Sequence, residues 1–267
     1  MLIHNSMMAL KGKNNVTGQN TGDVGDSMFY SGILESVGFQ LAGICFCFST
    51  YGRPWRHVSY VDKHDGDTFS RDQLLGYLHH CVARNDKGGL ERLLDYYSSC
   101  GKDLCAGTSP DGRGKIRLST WPIVGVACKV LGLKVPWQSY ILSWCVGFIF
   151  LMEAFFTPVG YQKHLISQKI WFYMRTKRVT LLMRLTAWIL SKQQPKNLWF
   201  QALTAVLLGR RADLILTSYE LERYAARFRG ESTGHYWVFG SKLEQKHLDS
   251  PCMWDIEFLR RFIAMHL

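Results

Sequence analysis

The chain lacks most of the patterns that announce a chemistry. It has no Cys-x-x-Cys, no His-Glu-x-x-His, no glycine-rich phosphate loop and no Ser-His-Asp order. Those absences remove zinc fingers, zincins, P-loop enzymes and the common serine hydrolases. The eight cysteines, at 45, 47, 81, 100, 105, 128, 145 and 252, fall largely within apolar runs. That is the distribution of buried thiols in a reducing compartment. No metal and no cofactor is expected. An uninterrupted apolar leader is also missing, because His4, Asn5 and Ser6 break up the first ten residues. A signal peptide is therefore not expected.

Acidic residues are scarce: 21 Asp and Glu stand against 32 Lys and Arg, a net charge of +11. The excess lies mostly after residue 160, as in Lys163, Lys169, Arg175, Lys177, Arg178 and Arg184. Such a surface attracts anions, whether nucleic acid, lipid headgroups or an acidic polymer. No helix-turn-helix or RNA-binding motif accompanies the charge, so nucleic acid is disfavoured and a solvated outer face is the ordinary reading.

Strand-like alternation is almost absent too, and helical periodicity takes its place. Residues 1–25 are mostly polar and are expected to be a flexible arm; residues 26–267 are expected to form a single helical domain. A first helix runs from Asp26 or Ser27 along Phe29, Ile33, Val37, Leu41 and Ile44. Ser70 and Gln73 have the spacing of a capping box, predicting a helix through Leu74, Leu75, Leu78 and Val82. Asp86 caps a short helix, Pro122 opens another that Gly132 ends, and Pro136 opens the most apolar one, over residues 137–156. Further helices follow at 161–175, 179–190, 197–208, 213–228 and 252–266. About ten helices with short links predict an all-α protein, a helical-hairpin (α/α) toroid, complete or incomplete, or a bundle.

The run of residues 26–34, Gly52-Arg-Pro-Trp-Arg, Phe69-Ser-Arg-Asp-Gln-Leu-Leu-Gly, Trp121-Pro-Ile-Val-Gly, Pro195-Lys-Asn-Leu-Trp-Phe and Met253-Trp-Asp-Ile-Glu-Phe resembles a pattern in uncharacterised proteins of tailed bacteriophages. The same pieces resemble, more distantly and in architecture only, the toroids of glycoside hydrolases and polysaccharide lyases. That likeness implies a polar-aromatic mouth and a carbohydrate-active or carbohydrate-binding protein acting on a polysaccharide or other glycan.

Asp26, Asp72 and Asp255 each stand at or beside the start of an expected helix. If inner helices start at one face, the three carboxylates meet there, and a pair of them could cleave a glycosidic bond as acid and base. The plain alternative is that each only caps its helix. Arg53, Arg56 and Arg71 either pair with neighbouring carboxylates or clamp an anionic substrate. Trp55 and Trp237, in loops, are the sugar platforms to expect, with His235 and Trp254 beside them; Trp254 and Trp121 also suit a core. His79 and His80 read as core histidines. The loop Asp62-Lys-His-Asp-Gly-Asp67 lacks calcium-loop spacing and reads as turn chemistry.

Two other functions stay open, a non-catalytic virion or assembly protein and a membrane-associated helical protein. Residues 137–156 approach the length of a bilayer span, but Glu153 interrupts them, and a buried central helix is the favoured reading.

Overall fold

The computed structural model describes residues 27–39, 48, 52–55, 69–105, 114–158, 163–195, 197–211 and 253–266. The protein is all-α: the described residues hold ten helices and no strand, with one isolated bridge between Phe48 and Pro54. Across the domain expected over 26–267, contacts gather in two compact units, parting between Ser143 and Trp144. The N-terminal arm and the helix expected at 213–228 lie outside the described residues.

The first unit contains α1 (Ser27–Glu35), α2 (Arg71–Arg84), α3 (Lys87–Ser99), α4 (Trp121–Val130) and α5 (Trp137–Ser143). Two glycines set how closely α1 and α2 approach. A Cβ on Gly32 would overlap the carbonyl of Gly76, and one on Gly76 would overlap the backbone of Phe29. Only glycine permits that backbone contact. Phe29, Ile33, Leu74, Leu75 and Leu78 close around it and are buried.

Asn85 adopts the left-handed conformation that ends α2, and the Asp86 carboxylate accepts the N–H of Gly89 at 2.9 Å. A helix stop and a helix start thus share two residues. Gly132, at φ +67°, ends α4 in a Schellman turn, with Leu133 N–H donating to Cys128 O at 2.8 Å. Gly125 then admits α5, whose Ser139 hydroxyl donates to Trp121 O at 2.7 Å.

The second unit contains α6 (Val146–Phe156), α7 (Lys163–Arg175), α8 (Leu181–Gln193), α9 (Leu198–Leu207) and α10 (Met253–Ala264). Its centre is α7, buried at every position from Lys163 to Tyr173. Trp171 of α7, Trp199 of α9 and Phe258 and Phe262 of α10 form an edge-to-face cluster, with ring centroids 4.8–5.0 Å apart. On the other side α6 packs on α8. A Cβ on Gly147 would stand 2.8 Å from Thr180 Oγ1 and 2.9 Å from Leu182 Cβ.

Three expectations are corrected. The first helix stops at Glu35, and the chain turns through Gly38 at φ +92°; Leu41 and Ile44, expected on the same helix, lie outside the described residues. The long helix over 137–156 is two helices, broken at Trp144 and Cys145. Its C-terminal half is also no buried rod: α6 buries only Val146, Gly147, Phe150 and Ala154. The helix buried all round is the more polar α7.

Candidate functional site

Of the residues expected at the mouth, the structure describes the set at the start of α2. Ser70 does precede the helix, but its hydroxyl donates to the side-chain oxygen of Gln73 and accepts no backbone N–H, so the expected capping box is replaced by a side-chain pair. Asp72 lies in the first turn and is 7% exposed; Arg71 is half-buried. The Arg53 guanidinium sits 4.4 Å above the Trp55 ring, and Trp55 is 2% exposed. Its face is covered, so it offers no open platform for a sugar, contrary to expectation.

Asp26, Arg56, His235, Trp237 and the loop at 62–67 lie outside the described residues. Trp254 and Asp255 are on α10, where the backbone is described but their side chains are not. Asp72 belongs to the first unit and Asp255 to the second. Trp121 is a core residue, packed edge-on against Tyr97 at 5.7 Å.

The first unit holds a polar cluster that sequence reasoning missed. Glu35, at the end of α1, has a fully buried carboxylate. It accepts from His80 Nδ1 and, at 3.0 Å, from Arg84 Nε. On its other side His80 Nε2 faces Asp86 Oδ2 at 3.8 Å, and Tyr77 stacks on the imidazole at 5.8 Å. His80 and Arg84 are four apart and share one face of α2, a spacing visible in sequence; their partner, 45 and 49 residues away, is not.

A buried carboxylate without partners would be expensive, and the imidazole and guanidinium donors answer it. Burial holds the neighbouring Cys81 thiol well above its usual range and raises Tyr77 as well. The thiol is therefore kept protonated, which makes it a poor nucleophile. The cluster acts as a tie between α1 and α2. Among the described residues no group of three or more His, Cys, Asp or Glu could hold a metal ion.

In the second unit the cations of α7 are turned inward. Lys169 pairs with both oxygens of Glu153 at 2.9 Å. Lys163, fully buried, donates to Ala154 O at 2.7 Å and to the Gln193 side chain, and burial lowers its pKa to about 8. Apolar side chains point outward instead. On α6 Phe148, Phe155 and Phe156 are exposed, Phe156 by 82%. On α8 Leu181, Leu185 and Trp188 are exposed, Leu181 by 80%. The Lys192 ammonium lies 5.9 Å from the Trp188 ring.

Positions 181, 185, 188 and 192 follow one helical stripe, so α8 presents a continuous apolar edge ending in a cation. Among the described residues no single helix is long and apolar enough to cross a membrane. The pieces Trp137–Ser143 and Val146–Phe156 reach that threshold only when taken together across their break. No family model matches the chain, nor does any curated protein or solved structure.

Proposed function

We propose that this is a membrane-associated helical protein that works on a lipid surface, seated there by the outer faces of α6 and α8. The observation that supports the reading is the exposure of Phe148, Phe155, Phe156, Leu181, Leu185 and Trp188 on two helices packed against each other. Transfer of one such side chain out of water is worth about 1.5–3 kcal/mol when complete. Six partly exposed ones offer a driving force large enough to offset the cost of immobilising the protein on a surface. Helices with Trp, Phe and Leu on one face and Lys or Arg beside them settle in the headgroup layer.

Length argues for lying on the bilayer rather than through it. At 11 and 13 residues, the two helices are roughly 16 and 20 Å long, against a hydrocarbon core of about 30 Å. The glycan reading needs carboxylates converging in an open cleft, and Asp72, whose side chain is described, is buried. It draws no support from that position.

Co-sedimentation with phospholipid vesicles tests the proposal. The full chain should pellet with vesicles, and the pair Phe155→Glu with Leu185→Glu should leave it in the supernatant with unchanged helical circular dichroism. A wild-type chain that stays in solution with every vesicle would remove the reading.

A further inference from the structure

We infer that the surface in question is an anionic bilayer and that α8 lies flat along it, with a cation anchored to headgroup phosphates at each end. This rests on the docking reading above and names its partner. Residues 144–211 carry ten Lys and Arg and one carboxylate, Glu153. That carboxylate is taken by Lys169. Lys163 is sealed inside, and Arg184 donates to Leu207 O at 2.6 Å.

Arg184, Arg210 and Arg211 are exposed as well, but Lys177, Arg178 and Lys192 are the exposed cations that bracket the apolar edge of α8. Arg178 precedes Leu181 by three residues, and Lys192 follows Trp188 by four. Along the chain the order is cation, Leu181, Leu185, Trp188, cation. With a cation at only one end, a helix would be expected to tilt its other end into the bilayer. Cations at both ends place each end at phosphate depth, with the leucines and the indole between them at the acyl boundary. No carboxylate within residues 144–211 is left to neutralise them, so a zwitterionic surface answers the apolar edge but not the charge.

The full chain is titrated with vesicles of phosphatidylcholine alone and of phosphatidylcholine with phosphatidylglycerol, at low and high salt. We expect tighter binding to the anionic vesicles and loss of that preference in high salt. Arg178→Gln with Lys192→Gln should weaken binding to the anionic vesicles roughly thirty-fold, at about 1 kcal/mol for each cation at the surface. The same pair should leave binding to phosphatidylcholine vesicles unchanged. Equal affinity for both compositions, or an unaffected double variant, overturns the anionic assignment while the docking reading stands. Failure to bind either vesicle overturns both. Self-association abolished by Leu185→Glu would assign the face to a second copy of the chain.

Discussion

Glu35 shows what a single residue contributes when its charge is out of reach of water. Its carboxylate is sealed, and both compensating groups come from α2. Glu35→Ala leaves His80 and Arg84 facing an empty, partly buried site, and should lower stability by about 3 kcal/mol in urea unfolding. Reversal by a second change at Arg84 would show up as a coupling energy in a double-mutant cycle. Gly32→Ala acts differently, by forcing two backbones apart. It too should cost about 3 kcal/mol, since the obstacle is a carbonyl and not a flexible side-chain end. Neither residue stands out in the sequence. The burial of Glu35 follows from contact with residues 45 and more positions away.

At the scale of an element, local chemistry was largely legible. Asp86, Thr180 and Asn197 each precede a helix and accept a backbone N–H from its first turn. Thr180→Ala should cost about 1 kcal/mol, read as a shift in the unfolding midpoint. The end of α7 is a Schellman turn with Lys177 in the left-handed position, φ +57°, where Arg178 N–H donates to Tyr173 O at 2.9 Å. Glycine takes that conformation without steric cost, so Lys177→Gly should raise stability by about 1 kcal/mol; a neutral or negative effect in thermal unfolding would contradict it.

The break at Trp144 and Cys145 was not legible, because neither glycine nor proline marks it. The pieces on its two sides are held by different neighbours. Ser139 of α5 bonds to α4, whereas Gly147 of α6 lies against Thr180 and Leu182. Those contacts come from distant sequence, and they outweigh the intrinsic preference of an apolar run to continue as one helix.

For the molecule as a whole, the buried Lys163 supplies a pH dependence with a definite sign. In the unfolded chain its amine titrates near 10.5, and in the folded protein near 8, burial being the cause. Below pH 8 both states carry the proton, and the folded one bears the full cost of a buried ammonium. Between 8 and 10.5 the folded protein releases the proton first, so this group makes the protein more stable as pH rises through that window. Urea midpoints measured for the wild type and Lys163→Met should therefore change in the wild type's favour between pH 8 and 10.5. Parallel curves would contradict the assignment. The subtraction matters because burial raises the Cys128 thiol to about 11, which works in the opposite direction once the unfolded thiol ionises near 9.

The amino-acid sequence alone determined that the chain is helical, where most helices begin and end, and that the basic excess follows residue 160. Periodicity and capping are local properties, set by residues three or four positions apart. Which helix is buried was decided only by tertiary structure. Hydropathy favours 137–156 for the interior, yet α7 occupies the centre of the second unit, because Ala154, Glu153 and Gln193 supply acceptors for its two lysines and the aromatic rings of α9 and α10 close over Trp171. A polar helix can be buried once its partners are assembled around it, and an apolar one can then be left with a face in solvent.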